Sequence, residues 1–262
     1  MRDEDSHKGE NGVVLVIGGS RDLVGALYLA AKSLAIMRAG ADLVLVAAPE
    51  KIAWTLNKMS PDLIAVKMKG DHLTENHFFD MKKYIEKADV LLIGNGIGQE
   101  QGAKKLVNKL IKVDKPKIID ADAIKAIKIQ DVSNAVLTPH AKEFEILLKN
   151  SGLKENELQK NLKDNVVLLK GKVDKIISKD RIVENKTGNA GMTVGGTGDV
   201  LAGITAGFVS QSDDLFEAAL KAAKIMGEIG DKLEEEFCYG FIASDFLKEI
   251  PEFMKNGKSN PS

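Results

Sequence analysis

Short apolar runs alternate with segments of helical spacing along most of the chain, and this alternation restricts the fold more than any other feature. The run VVLVIGG at 13–19 is typical of a buried strand, and apolar residues recur at helical spacing from Ala26 to Met37. Gly40 is a candidate C-cap for that helix, and DLVLVAAP at 42–49 predicts a second strand. Strand, helix and strand in this order predict a βαβ unit, which joins parallel strands.

Further strand candidates follow along the chain. They are LIAV (63–66), DVLLIG (89–94), KIID (117–120), AVLT (135–138) and VVLLKG (166–171). Helical stretches separate most of them, for example 101–112 and 141–150. Strands that are apolar on both faces and alternate with helices are typical of a parallel sheet covered on both sides. The sequence therefore predicts an α/β fold with a mostly parallel central sheet flanked by helices.

The pattern changes after residue 171. KIIS and RIVE flank KDR, which predicts a hairpin at the edge of the sheet. Helices are then expected at roughly 198–210, 214–235 and 240–249. No repeat, linker or change of composition divides the chain, so we expect a single domain over 13–254. The polar segments 1–12 and 255–262 are expected to be frayed or disordered.

Charge and cysteine content exclude several classes of protein. Lys and Arg total 37 and Asp and Glu total 38, so no basic excess points to nucleic acid or to a membrane surface as a partner. Cys238 is the one cysteine, which rules out a disulfide within the chain and fits a reducing compartment. The N-terminus lacks the apolar core of a signal peptide, and the apolar runs are far shorter than the ~20 residues of a membrane span. We therefore expect a soluble, cytoplasmic protein.

The residues that directly follow the predicted strands are the candidates for a site, because ligands of open parallel sheets bind beyond the carboxyl ends of the strands. These segments are GGS (18–20), GNGIG (94–98), DAD (120–122), TPHAKE (138–143), KGKVD (170–174) and GGTGD (195–199). Each glycine-rich segment taken alone is equally well explained by a tight turn. Neither an intact GxGxxG fingerprint nor the P-loop pattern is present.

The segment GGTGD, at the start of a predicted helix, carries the strongest signal. A helix N-terminus exposes unpaired N–H groups and partial positive charge, and Gly195, Gly196 and Gly198 lack the Cβ atoms that would keep an anion away. Together they predict a hole for a phosphate group. Asp199 is explained either as a helix stabiliser or as a base that accepts a proton from a substrate hydroxyl as its oxygen attacks a phosphate. Because a carboxylate inside the hole would repel the phosphate that the glycines admit, its presence there is favourable only if it handles a proton. This argument favours the second interpretation.

Three other side chains each have two interpretations. His140 precedes a predicted helix and is either a surface histidine or a residue that points into the cleft. Glu143 lies in the first turn of that helix, where it either stabilises the helix dipole or orients Mg²⁺-bound water beside a nucleotide phosphate. Lys170 ends a buried strand and is either a solvated strand end or a contact to nucleotide.

These segments, in this order from about residue 13 to 210, resemble the ADP/ATP-dependent NAD(P)H-hydrate dehydratases. That family of lyases belongs to the ribokinase superfamily, and GGTGDVLAG is its most specific motif here. The resemblance implies a ribokinase-like three-layer sandwich. It also implies a metabolite-repair reaction in which the hydroxyl of a hydrated NADH or NADPH ring is phosphorylated from ADP or ATP, with Mg²⁺, and phosphate then leaves.

The resemblance also assigns roles to residues. Asp199 is expected to be catalytic. The residues expected to bind the hydrate are Gly25, Ala26, Gly96, Gly98, His140 and Asp199. Those expected to bind the nucleotide are Lys170, Gly171, Lys172, Val173, Asp174, Gly195, Gly196, Thr197 and Gly198, with Glu143 near the metal through water.

The chain departs modestly from the family pattern. Ala141-Lys142 replaces the common Pro-Gly after the histidine, and GNGIG replaces GPGLG. Many relatives carry an additional epimerase domain, so epimerisation of the hydrate is expected on a separate chain. The family also implies a homo-oligomer, possibly a tetramer. A kinase of the same fold that phosphorylates a hydroxymethylpyrimidine or thiazole, and a non-catalytic nucleotide-binding regulator, are the alternatives.

Overall fold

A single sheet of nine strands runs through the part of the chain that the computed structural model describes, residues 12–36 and 41–256. The strands are β1 (Val13–Ile17), β2 (Leu43–Pro49), β3 (Ile64–Met68), β4 (Val90–Ile93), β5 (Lys117–Ile119), β6 (Ala135–Leu137), β7 (Val166–Leu169), β8 (Asp174–Ile177) and β9 (Ile182–Asn185). The helices are α1 (Val24–Ile36), α2 (Glu50–Met59), α3 (His77–Lys87), α4 (Gln101–Leu110), α5 (Ala141–Ser151), α6 (Glu155–Asn161), α7 (Thr197–Val209), α8 (Leu215–Phe237) and α9 (Ala243–Asn256). The predicted cap Gly40, the helix end at Met37 and nearly all of the two terminal segments lie outside the described residues.

The strand order is β3-β2-β1-β4-β5-β6-β7-β8-β9. Strands β1 to β7 are all parallel, and β8 and β9 add an antiparallel hairpin at one edge, as predicted from KIIS and RIVE. The chain winds outward from β1 to β3 and then returns to place β4 on the other side of β1. The strand order therefore reverses between β1 and β4, where open sheets of this kind form a ligand crevice.

Side chains of each strand alternate between two separate hydrophobic cores. In β1, Val14 and Val16 join the core that α1, α7, α8 and α9 cover, whereas Leu15 and Ile17 join the core under α3, α4 and α5. A parallel sheet with helices on both faces produces this two-sided burial. The predicted three-layer α/β arrangement is confirmed. Within the described residues, no helix is both long and apolar enough to cross a bilayer.

The helices α1 and α7 pack with their backbones in close contact. A Cβ atom at Gly203 would lie 2.0 Å from Ser33 Oγ and 2.2 Å from the carbonyl oxygen of Ala30. The Ser33 hydroxyl is fully buried and donates to the carbonyl oxygens of Ala30 and, across the two helices, of Val200. This contact fixes the start of α7, which includes Asp199, against α1.

Candidate active site

Four polar side chains meet at the carboxyl edge of the central strands. Asn95 follows β4, Asp120 follows β5, Thr138 follows β6 and Lys170 follows β7. Because these strands are parallel neighbours, their ends lie side by side. The first turn of α7 faces them and adds the carboxylate of Asp199.

A chain of hydrogen bonds joins these side chains. The Asn95 amide nitrogen donates to Asp199 Oδ1 at 2.8 Å and to Asp120 Oδ2 at 2.9 Å. The second oxygen of Asp120 accepts from Thr138 Oγ1 at 2.7 Å and from Lys170 Nζ at 3.1 Å. Asp120 is only 2% exposed and Asn95 is fully buried, so the network is largely shielded from water.

The network gives Asp199 unusual acid–base properties. Burial is the largest cause that raises the pKa of Asp199, and the negative charge of Asp120 raises it further, to about 6. The hydrogen bond from Asn95 and the charge of Lys170 act in the opposite direction. Burial alone would lower the pKa of Lys170, but Asp120, Glu143 and Asp199 raise it overall, so the lysine stays a cation. A carboxylate with a pKa near neutrality is suited to exchange a proton with a substrate.

The glycines of the GGTGD segment differ in what they do. Gly196 is the N-cap of α7 with φ 100°, in the left-handed region, and a Cβ there would lie 2.5 Å from Leu29 and 2.9 Å from Ala243. A Cβ at Gly195 would meet nothing within 4 Å, whereas one at Gly198 would lie 3.1 Å from Lys170 Nζ. Gly196 is therefore required by the backbone, and Gly198 keeps open the space beside the lysine.

A cavity of about 580 Å³ lies next to Lys170 and the start of α7. It is lined by residues 170–174 and 186–190, by Thr197 and Gly198 in the first turn of α7, and by the apolar side chains of Met192, Leu201 and Met226, among others. All the residues predicted for the nucleotide line it except Gly195 and Gly196. Its apolar wall suits a flat heteroaromatic base, and Lys170 with the N–H groups of α7 suits phosphate.

Residues 170–174 form a turn closed by Asp174. Its carboxylate accepts from the backbone N–H of Gly171 at 3.0 Å and from the Asn185 amide at 3.3 Å. Burial raises the pKa of Asp174, and the hydrogen bond from Gly171 opposes that rise. Sequence reasoning gave the segment 186–190 on the far wall no role, although KTGNAG directly follows β9 and is as rich in polar residues and glycine as the other site loops.

His140 and Glu143 form a capping box at the start of α5. His140 Nδ1 accepts from the backbone N–H groups of Lys142 and Glu143, and Glu143 Oε2 accepts from the backbone N–H of His140 at 3.1 Å. The His140 side chain is 50% exposed and that of Glu143 is 6% exposed. His140 pairs with Lys170 as an isolated parallel bridge, which places it at the same edge as the network. Glu143 therefore stabilises the start of α5, which was one of its two interpretations.

The residues predicted to contact the hydrate fall on two neighbouring loops. A Cβ atom at Gly96 would lie 3.5 Å from that of Ala26 and 2.6 Å from the Leu23 carbonyl oxygen, so the loop after β4 touches the start of α1. Gly25 is exposed beside Ala26, and the backbone N–H of Gly98 donates to Asp122 at 3.2 Å. These loops lie at the strand-order reversal, and the 580 Å³ cavity lies toward the hairpin.

Sequence reasoning singled out the segments that contain Asn95, Asp120 and Thr138 but gave these residues no individual role. Their common signal is their position, since each is the polar residue that follows a buried strand, directly after β5 and β6 and after Gly94 at the end of β4. No group of three or more His, Cys, Asp or Glu side chains within the described residues has the arrangement of a metal site.

The fold and the site together define a ribokinase-like α/β protein. Among solved structures, a ribokinase-like superfamily protein from Enterococcus faecalis is 29% identical with a TM-score of 0.82, covering 98% of this chain and 91% of that one. An ADP/ATP-dependent NAD(P)H-hydrate dehydratase from Bacillus subtilis, co-crystallised with ATP and Mg²⁺, is 24% identical with a TM-score of 0.78, covering 98% and 93%. The latter likeness supports the fold.

A model of the NAD(P)H-hydrate dehydratase family matches residues 14–252. The chain is 40% identical to the bifunctional NAD(P)H-hydrate repair enzyme Nnr of Methanothermobacter thermautotrophicus over 96% of its own length and 51% of the relative's. It is 35% identical to the ADP-dependent (S)-NAD(P)H-hydrate dehydratase of Cenarchaeum symbiosum, over 97% of this chain and 92% of that protein. This chain belongs to the NAD(P)H-hydrate dehydratase family, and it spans about half the length of several curated relatives that it matches.

Proposed function

We propose that this chain is a lyase that dehydrates NAD(P)H hydrate back to NAD(P)H with ADP or ATP as the phosphoryl donor. The observation that carries this proposal is the position of Asp199. Its carboxylate has a pKa of about 6 and lies in the first turn of α7, between the 580 Å³ cavity and the glycine loops at the strand-order reversal. The nucleotide and the hydrate would thus approach one acid–base group from two sides.

The chemistry has two steps in this assignment. Asp199 accepts the proton of the hydrate hydroxyl while the hydroxyl oxygen bonds to the terminal phosphorus of the nucleotide, and the bond from that phosphorus to the departing ADP or AMP breaks. The carbon–oxygen bond of the phosphorylated hydrate then breaks, phosphate leaves, and loss of a proton from the neighbouring carbon restores the ring double bond. Phosphate is a far better leaving group than hydroxide, which is the chemical reason to consume a nucleotide.

The residues on the cavity side have distinct tasks in this proposal. Lys170 supplies a positive charge, and the N–H groups at the start of α7 supply donors to the terminal phosphate. Residues 170–174 contact the nucleotide, and Met192 and Met226 contact the base. On the other side, Gly25, Ala26, Gly96, Gly98 and His140 contact the hydrate.

Glu143 is the carboxylate proposed near Mg²⁺, and it suits the ion only if water and phosphate are the further ligands. The Glu143 carboxylate already accepts a backbone hydrogen bond and lies 3.4 Å from His140 Nε2, yet a carboxylate retains other lone pairs for a metal-bound water. Mg²⁺ neutralises charge on phosphate oxygens when it is bound with a nucleotide. Glu143 would orient its water, as predicted from the sequence.

Turnover of the hydrate tests the proposal directly. NADH hydrate and NADPH hydrate are each incubated with the chain and with ADP or ATP, and the absorbance band of the reduced nicotinamide is followed together with phosphate release. Recovery of that band with one phosphate per hydrate supports the dehydratase. Phosphorylation of a hydroxymethylpyrimidine or thiazole in place of the hydrate would support the kinase, and nucleotide binding without turnover of either would support the regulator.

We also infer a homo-oligomer, possibly a tetramer, a cytoplasmic location and epimerisation of the hydrate by a separate epimerase. The family implies the oligomer and the epimerase, and the single cysteine supports the location. Sedimentation of the full chain tests the oligomer, and turnover of the R and S hydrates with and without an added epimerase tests the last inference.

His140→Ala is expected to weaken hydrate binding by about 1–3 kcal/mol, the typical effect of leaving a buried polar partner unpaired. Nucleotide affinity should barely change, because His140 does not line the cavity. The same change also removes the N-cap of α5, which costs about 0.5–2 kcal/mol of stability. Calorimetric titration of each ligand and a thermal melt measure the two effects.

His140→Asn is the matched control, because asparagine is a good N-cap without the imidazole ring. It should recover the stability lost in His140→Ala and still bind hydrate weakly. Recovery of hydrate affinity in His140→Asn would assign the ring a capping role alone.

Gly198→Ala is expected to raise the KM for nucleotide by about tenfold, or ~1.4 kcal/mol. The added Cβ would lie 3.1 Å from Lys170 Nζ and would displace the ammonium group from the phosphate position. Gly195→Ala is the control, since its Cβ would meet nothing within 4 Å. Steady-state kinetics of the two variants measure the difference, and equal KM values would contradict this role of Gly198.

A further inference from the structure

We propose that Asn95 and Asp120 are positioning residues that hold the Asp199 carboxylate in one orientation and keep it a competent base. The inference deepens the proposed function, since it takes Asp199 as the proton acceptor. It rests on three observations, which are the bridging amide of Asn95, the buried charge of Asp120 and the glycines that bring the two strand ends together.

Among the described residues, Asn95 is the one whose side chain is hydrogen-bonded to the carboxylates of both Asp199 and Asp120. Its nitrogen carries two hydrogens in a plane and donates to Asp199 at 2.8 Å and to Asp120 at 2.9 Å. Turning the amide over would aim its oxygen at both carboxylates, so the network fixes the orientation. Asn95 is fully buried, and its own Oδ1 has no hydrogen-bond partner among the described atoms. A buried acceptor left unpaired lowers stability, which is expected where the amide is retained for the two bonds that its nitrogen makes.

Glycines that follow β1 and β4 make this arrangement possible. A Cβ at Gly18 would lie 2.3 Å from the Asn95 carbonyl oxygen, and one at Gly94 would lie 2.0 Å from the Asp120 carbonyl oxygen. Gly94 also has φ 125°, in the region that favours glycine. The backbone N–H of Gly19 donates to the Asn95 carbonyl at 2.9 Å, which locks the loop. The side chains are therefore held before any ligand arrives, as preorganised catalysis requires.

Asp120 places a second negative charge near Asp199, and Lys170 balances it. Like charges disfavour ionisation, so Asp120 raises the pKa of Asp199, while the Asn95 hydrogen bond favours the ionised form. Glu143 also acts on Asp199 through its charge. Three charged side chains on the helices that pack against α7 are paired elsewhere: Lys32 with Asp62, Lys232 with Glu249 and Glu252, and Asp245 with Lys248. The basicity of Asp199 is thus set mainly by burial and by these strand-end residues.

Two substitutions distinguish a positioning role from mere support of the fold, because they should shift the pKa of Asp199 in opposite directions. Asp120→Asn removes the like charge, so the acid limb of the kcat/KM profile should move from near 6 toward the ordinary value of 3.8. Asn95→Ala removes the bond that favours the carboxylate, so the limb should move above 6. Asn165→Ala is the control, because the buried side-chain amide of Asn165 bonds to Val132 and Ala135, near the amino ends of β6 and β7.

Both the pH profile and a ¹³C NMR titration of the Asp199 carboxyl, assigned from its loss in Asp199→Asn, measure the shift. Opposite shifts in the two variants with no shift in Asn165→Ala support the proposal. Unchanged midpoints, or lower activity with equal losses of stability in all three variants, would overturn it. The NMR titration needs no turnover, so it decides this inference even if wild-type protein fails to dehydrate the hydrate. If one variant does not fold, the direction of shift in the other still decides.

Discussion

Replacing Asp199 with asparagine is expected to lower kcat by about 10²–10⁴-fold, the usual contribution of a general base. The amide retains the shape of the carboxylate and can still bond to Asn95, but it cannot accept the hydroxyl proton. Nucleotide affinity should be close to wild type, because the cavity and Lys170 are unchanged. Single-turnover kinetics with saturating hydrate and nucleotide measure the loss, and a variant that keeps more than about a tenth of the wild-type rate would remove Asp199 from the proton transfer.

The same variant should be more stable than wild type at neutral pH. In the folded protein the pKa of Asp199 is about 6, against 3.8 as its ordinary value, so folding favours the protonated carboxyl. That contribution to stability is fully present below 3.8 and is lost as the pH rises through 6. Above pH 6 the wild-type protein bears a destabilisation on the order of 1–3 kcal/mol that asparagine lacks. Thermal melts at pH 4 and pH 8 should therefore show a higher melting temperature for Asp199→Asn than for wild type only at pH 8. A variant that is less active but more stable than wild type would indicate that Asp199 is retained for function.

The sequence predicted the fold well because central strands such as β1 and β4 are apolar and buried on both faces. Apolar runs such as VVLVI and VLLI have no polar face, which requires helices on both sides of the sheet. The hairpin of β8 and β9 was equally visible, since KDR interrupts two short apolar runs. The predicted strands at 117–120 and 135–138 each extend one residue beyond β5 and β6. The extra residues are Asp120 and Thr138, which directly follow the apolar runs and whose side chains belong to the site.

The site was predictable as a set of segments and not as a set of contacts. The rule that ligands lie beyond parallel strands selected 94–98 and 120–122, but sequence spacing carries no information on which side chains meet across strands. The bridge of Asn95 to Asp199 joins residues 104 positions apart. Likewise the glycines of GGTGD look equivalent in sequence, although only Gly196 has a left-handed backbone and only Gly198 faces Lys170.

Lys170→Met is expected to destabilise the protein by about 3–5 kcal/mol, the usual result of removing one partner of a buried ion pair. Lys170 Nζ lies 3.1 Å from Asp120 Oδ1, and the Asp120 side chain is only 2% exposed. Without the lysine, Asp120 is a buried carboxylate beside Asp199, with Asn95 and Thr138 as its remaining donors. Methionine fills a similar volume, so packing changes little and the loss of charge dominates.

The double variant Lys170→Met/Asp120→Asn distinguishes the ion pair from the phosphate contact. Removing both charges should restore much of the stability, because the Asp120 carboxylate that the lysine neutralised is removed together with it. Nucleotide affinity should stay low in both variants, since the cation that faces the phosphate is absent from each. Lys172→Met is the control, because Lys172 lines the same cavity but is exposed, and its loss should change stability by no more than about 0.5 kcal/mol. Urea unfolding and calorimetric titration of ADP and ATP measure these effects, and equal unfolding free energies for Lys170→Met and Lys172→Met would show that the buried pair contributes nothing to the fold.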